Sequence, residues 1–233
     1  MFLKNKIIIV TGVSKGIGKA TIEALLKKQA IVVGWGRTKP DIINQHFHFF
    51  SVDIRQYTEV EQAYQKTITE VGSNVYGLIN NAGLGYFGGV ETLPMEQWAE
   101  MFDTNVNGLM YCTRVVVAQM KEHEQGHIIN IASIAGLQGL AEASGYCATK
   151  FAVKGFSHSL YQELRKFGIK VSCIYPGSVE TNFFDHIDSI EANADMLQPA
   201  DIANSIVYLL ETPPNCLPID FEIRPLKAGK PRK

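Results

Sequence analysis

The chain has no excess of either charge, no long apolar run and no clustered cysteines, and each shortage removes a class of protein. Lys and Arg number 22 against 23 Asp and Glu, a net charge of −1. That balance gives no broad field to draw in nucleic acid or an anionic membrane surface. No apolar run approaches the roughly 20 residues needed to span a bilayer. The run at residues 7–10 stops at once in Thr11-Gly12, too short for a secretory signal. Cys112, Cys147, Cys173 and Cys216 stand far apart without a C-x-x-C pair, which argues against a disulfide framework and suits reduced thiols in a cytoplasm. His46 and His48 alternate, but no further ligand cluster accompanies them, so no metal is expected.

What is present is alternation. Apolar, β-branched runs at 6–11, 30–35, 47–52, 75–79, 127–132, 169–175 and 219–223 read as buried strands. Between them, 17–28, 57–71, 95–122, 145–167 and 199–210 carry helical periodicity or composition, the last with Pro199 at its start. Such alternation implies an α/β fold, a doubly wound parallel sheet of about seven strands with helices on both faces. A chain of 233 residues fits one such domain, over 1–225, with a basic, frayed tail at 226–233. The link between Arg37 and Phe47 is short and contains Pro40, so the helix usual at that place is expected to be truncated or absent.

The first strand runs into Thr11-Gly12-Val13-Ser14-Lys15-Gly16-Ile17-Gly18 and then a helix. Glycines at a strand-to-helix turn let backbone approach a pyrophosphate, and unpaired helix N–H groups face the anion. The spacing is G-x-x-x-G-x-G rather than the common G-x-G-x-x-G, and no Lys-Ser/Thr pair makes it a Walker loop. In Rossmann-type folds an acidic residue about 20 positions beyond the glycines takes the ribose of NAD, and an Arg there accommodates the extra phosphate of NADP. No Asp or Glu lies between Glu23 and Asp41; Arg37 stands there instead, with Lys15 as a second cation. NADP is therefore the expected cofactor.

Tyr146 and Lys150 are four apart, on one face of a helix. Ser133 follows the fifth strand, at the edge where such sheets bind ligands. With these residues in view, the chain resembles the short-chain dehydrogenase/reductase family over nearly its whole length. The glycine loop matches the family's cofactor loop. Asp53 matches its adenine-side acid, Asn80-Asn81-Ala82-Gly83 its structural motif at the cofactor cleft, and Asn105 its catalytic Asn. Ser133 and Tyr146-x-x-x-Lys150 match the catalytic Ser, Tyr and Lys. Pro176-Gly177-Ser178-Val179-Glu180-Thr181 matches the segment that touches the nicotinamide.

The resemblance implies hydride transfer between NADPH and a small carbonyl or alcohol. Tyr146 is then the general acid in reduction and the base in oxidation. A free phenol has a pKa of about 10, and Lys150 with the oxidised nicotinamide is expected to lower it. Ser133 polarises the substrate oxygen, Lys150 also holds the nicotinamide ribose, and Asn105 supports a water in the proton relay. The resemblance also implies a homodimer or homotetramer, paired through 95–122 and 145–167. The C-terminal Ile219-Asp220-Phe221-Glu222-Ile223-Arg224-Pro225 replaces the family's frequent Asp-Gly-Gly ending. It resembles the branch of NADP-dependent 3-hydroxy acid and serine dehydrogenases and small carbonyl reductases, more than 3-oxoacyl-carrier-protein reductases. An NADP-sensing regulator without turnover is the alternative from another class. The substrate pocket is expected from 135–142 and 181–197; the second stretch carries Phe183, Phe184, Met196 and Leu197 and no Arg or Lys, which argues against an acid substrate.

Overall fold

The computed structural model describes residues 2–181 and 195–227. Seven strands form one sheet: β1 (Ile7–Thr11), β2 (Ile31–Gly36), β3 (Phe47–Ser51), β4 (Val75–Asn80), β5 (Gly126–Ile131), β6 (Ile169–Pro176) and β7 (Asp220–Ile223). Their order is β3-β2-β1-β4-β5-β6-β7 and every pairing is parallel. Strands β1, β4, β5 and β6 are buried at every residue. That is why they read in the sequence as continuous apolar runs rather than alternating ones.

Successive side chains of a strand point to opposite faces. Ile8 and Val10 of β1 join the core beneath α1 (Gly16–Lys27) and α6 (Pro199–Leu210), while Ile7 and Ile9 join the core on the opposite face. That second core lies under α2 (Tyr57–Glu70), α4 (Leu109–Glu122) and α5 (Ser144–Leu164). Burying each such side chain stabilises the fold by roughly 1.5–3 kcal/mol. At the start of α6 the Asp201 carboxylate accepts the Gln198 N–H at 2.7 Å, next to the pre-set turn of Pro199.

The expected alternation is found, and no helix interrupts the chain between β2 and β3. One expectation needs correction. Residues 95–122 do not form one regular helix: α3 (Met95–Phe102) passes into a π-helical stretch, Asp103–Gly108, before α4 begins. The wider turns carry Asn105 inward, where its side chain is anchored away from its own helix. Among the described residues, no helix is long and apolar enough to cross a membrane.

The strand order reverses between β1 and β4. The connections on either side lead away in opposite directions and leave a crevice at the C-terminal strand ends.

Candidate active site

A cleft of about 630 Å³ opens in that crevice. Its floor is a junction between the glycine loop and the end of β4. Gly12 has φ +69°, and a Cβ there would lie 2.7 Å from the Ala82 Cα, so only glycine admits both the left-handed turn and the close approach. Asn81 Nδ2 donates to the Thr11 and Gly12 carbonyls at 2.9 and 3.0 Å. The Asn81 and Ala82 N–H groups donate to Thr11 Oγ1 at 3.1 and 3.0 Å. Ser14, Lys15, Gly16, Ile17 and Gly83 line the cleft. Gly18 does not: it is buried, and a Cβ there would sit 2.6 Å from Asn81 Nδ2. Its place in the motif is to let α1 pack on this junction.

Beyond β2, Arg37 is exposed and lines the cleft with Thr38. Asp53 follows β3 on the same rim. Hydrogen bonds from Arg55 hold its carboxyl below the usual range against the opposing effect of burial, and the Arg37 charge acts in the same direction as Arg55.

The other end of the cleft is built on β5, β6 and α5. Ser133 leaves β5 in an extended conformation, and its Oγ accepts the Ala135 N–H at 3.1 Å. Ser133 and Tyr146 line the same end of the cleft, and the Phe87 ring lies 5.5 Å from the Tyr146 ring. Lys150, one turn along α5, places Nζ 5.7 Å from the centre of that ring and donates to the Ile131 carbonyl at 3.0 Å. Pro176, Gly177, Val179 and Thr181 line the wall beyond β6. Glu180 and Leu197 pair through their backbones (Glu180 N to Leu197 O, 2.8 Å), which ties the exit of β6 to the chain entering α6. Phe183 and Phe184 lie outside the described residues.

Two sequence expectations gain detail here. Burial pushes the Tyr146 phenol up to about 12, with Ser133 opposing it, and pulls the Lys150 ammonium down to about 8. The protein's own groups leave the phenol raised, because desolvation dominates for groups in the interior; the lowering expected from Lys150 acting with the oxidised nicotinamide belongs to the occupied cleft. The second detail concerns Asn105. Its Oδ1 accepts the Leu84 N–H at 2.9 Å, while Nδ2 donates to the Leu84 carbonyl at 2.8 Å and Thr149 Oγ1 at 3.0 Å. That side chain is buried and committed to the protein, so its amide is not the group that would hold a relay water.

The family model for short chain dehydrogenases matches residues 6–192. The chain belongs to the short-chain dehydrogenase family. A 3-alpha-(or 20-beta)-hydroxysteroid dehydrogenase of Mycobacterium tuberculosis is 33% identical over 216 residues, covering 89% of this chain and 83% of that protein. Among solved structures, ElxO with NADP bound superposes with a TM-score of 0.86 at 26% identity, covering 94% of this chain and 97% of that one. Serine dehydrogenase from Escherichia coli gives a TM-score of 0.84 at 28% identity, with 93% and 96% covered. The branch suggested by the C-terminal residues is thus represented among the structural neighbours of this short-chain dehydrogenase.

Sequence reasoning missed Arg55, Tyr86, Phe87 and Glu100. Tyr86, Phe87 and Glu100 line the cleft, and Arg55 bonds both Asp53 and Glu100. Nothing in their spacing marks them, because each meets partners from other segments.

Proposed function

We propose that this short-chain dehydrogenase uses NADP(H) to interconvert a small carbonyl compound and its alcohol, with Tyr146 as general acid and base. The observation that carries the reading is that Ser133, Tyr146 and Lys150 line one cleft, with Lys150 Nζ 5.7 Å from the centre of the phenol ring. Three groups that can bind, protonate and orient a carbonyl oxygen meet at the end of the cleft built on β5 and α5.

The residues present fit a dinucleotide. The glycine junction admits no Cβ at Gly12, so backbone can approach a pyrophosphate there. Asp53 would meet the adenine, and Asn81, Ala82 and Gly83 would form the floor beneath the dinucleotide. Arg37 and Lys15 would meet a 2′-phosphate, with the Arg fork suited to bidentate binding; the NADP found in ElxO supports the choice. Pro176, Gly177, Val179 and Thr181 would face the nicotinamide. Bound there, the reduced nicotinamide supplies the hydride for the carbonyl carbon.

The chain's own residues handle the oxygen. Ser133 donates to it as negative charge develops. The Tyr146 O–H delivers its proton to the same atom. Lys150 spends one N–H on the Ile131 carbonyl and keeps two, one for the nicotinamide ribose and one for the phenolate left behind. With an ammonium pKa of about 8, Lys150 is mostly charged at neutral pH. Asn105 acts by fixing the backbone of Leu84. Paired copies of the chain, joined through α4 and α5, complete the reading.

The decisive experiment follows NADPH absorbance with a panel of ketones, aldehydes and alcohols. Turnover that disappears in Tyr146→Phe supports the reading. A protein that binds NADPH but oxidises it with no carbonyl would refute it in favour of a cofactor sensor.

A further inference from the structure

The relatives act on compounds as unlike as hydroxysteroids and serine, so the substrate class must be read from this chain's own cleft. Beside Tyr146 the wall is Leu84, Tyr86 and Phe87, with Leu140, 40% exposed, also lining the cleft. The Phe87 and Tyr146 rings are tilted by 46° with centroids 5.5 Å apart. This wall is pinned at three places. Asn105 bonds both backbone groups of Leu84. The Tyr86 hydroxyl donates to Glu100 Oε2 at 2.7 Å. The Gly88 N–H donates to the Glu142 carbonyl at 2.7 Å, and Glu142 adopts φ +58°, a left-handed conformation costly for a residue with a side chain. An apolar wall fixed in this way selects by shape and does not remould itself around each ligand.

The charges are equally one-sided. The described cations lining the cleft are Lys15, Arg37 and Lys150. Lys15 and Arg37 belong to the glycine loop and the exit of β2, and Lys150 is buried with its ammonium on the Ile131 carbonyl. Glu100 is held by Arg55 and Tyr86. Among the described residues, a substrate carboxylate at this wall would lose its water and meet no further cation.

We propose that the substrate is an uncharged carbonyl compound bearing a flat apolar arm, aromatic in the simplest case, that lies against Phe87. The inference rests on the oxidoreductase reading above. Reduction converts C=O to CH–OH with hydride from NADPH to carbon and a proton from Tyr146 to oxygen, leaving NADP⁺.

Four probes with the same reacting keto group separate charge from shape: ethyl benzoylformate, benzoylformate, ethyl pyruvate and pyruvate. Ethyl benzoylformate is expected to have the highest kcat/KM, at least about tenfold above benzoylformate and above ethyl pyruvate. Phe87→Ala should shrink the phenyl-over-methyl ratio, and Leu140→Lys should raise kcat/KM for benzoylformate. Benzoylformate reduced as well as its ester, or a phenyl preference unaltered by Phe87→Ala, would overturn this inference and leave the oxidoreductase reading standing. NADPH bound but oxidised with none of the four would overturn this inference, while turnover on the wider panel of ketones, aldehydes and alcohols decides the oxidoreductase reading separately.

Discussion

Arg55 Nη1 lies 2.9 Å from Glu100 Oε1, a bond across 45 residues that fastens the exit of β3 to α3. The same guanidinium grips the Asp53 carboxylate through Nε and Nη2, and Glu100 passes the connection on to the Tyr86 hydroxyl. The rim where Asp53 stands is thereby joined to the wall beside Tyr146. Because these side chains are part-exposed, the pairs contribute at most about 1 kcal/mol each. Arg55→Leu should lower Tm by about 2–4 °C and raise KM for the carbonyl more than it lowers kcat. Calorimetry and steady-state kinetics decide; no change in either quantity would show that the connection carries nothing.

Tyr146→Phe keeps the ring against Phe87 and removes only the transferable proton. We expect kcat to fall by about 10²–10⁴-fold with NADPH affinity largely retained. Lys150→Ala should damage both, since two remaining N–H groups are assigned to two partners. Fluorescence titration of NADPH beside single-turnover kinetics separates the outcomes, and a Tyr146→Phe enzyme near wild-type rate would remove the proton-transfer assignment.

Arg37→Ala tests the cofactor. A hydrogen bond to a charged group contributes about 1.5–3 kcal/mol, so NADPH affinity should drop roughly tenfold to a few hundredfold. NADH presents no 2′-phosphate, and its binding should barely move. Equal weakening of both cofactors, or a wild type that prefers NADH, contradicts the role given to Arg37.

His127 supplies a pH prediction for stability. Burial, then the Lys170 charge, lowers its imidazole to about 3 from 6.5, with the ring on Ser172 Oγ at 2.9 Å. Between those values the unfolded chain binds the extra proton, so stability is complete above about pH 6.5 and declines as pH falls toward 3. From pH 7 to pH 5 this one group should remove about 2 kcal/mol. In His127→Gln that component vanishes. Urea unfolding of both proteins at the two pH values measures it, and identical losses would locate the acid sensitivity elsewhere.

Assembly can be probed on α5. Phe151 is 43% exposed, and a Cβ at Gly155, one turn later, would meet nothing within 4 Å. If paired copies pack there, the native chain should show a dimeric or tetrameric mass by light scattering and Gly155→Trp should reduce it. A monomeric wild type at micromolar concentration rules the pairing out.

The sequence made legible whatever depends on neighbours along the chain. The apolar runs marked the strands, the glycine loop marked the crevice, and Tyr146 and Lys150 declared a shared helix face. Contacts made across the fold were not legible. Arg55 and Glu100 look like ordinary surface charges until β3 and α3 are brought together. A motif does not say whether its member faces the ligand or the packing behind it, and for Gly18 and the Asn105 side chain only the fold supplies that answer. Spacing sets Tyr146 beside Lys150 but does not tell how deeply either is buried, and burial, a property of the whole fold, raises the phenol in the chain alone.

The π-helical stretch at Asp103–Gly108 also acts as a phase shifter. Upstream, Met101 points into the cluster around Tyr146; downstream, Cys112, Val116 and Met120 point beneath the sheet. Each residue of an α-helix advances the direction of its side chain by about 100°. Inserting one more residue of regular α winding within 103–108 would rotate one half of the rod relative to the other by that angle, so the two apolar faces could not both stay aligned with their cores. A one-residue insertion there would be felt at the sheet and at the cleft together, although every side chain outside the stretch remained the same.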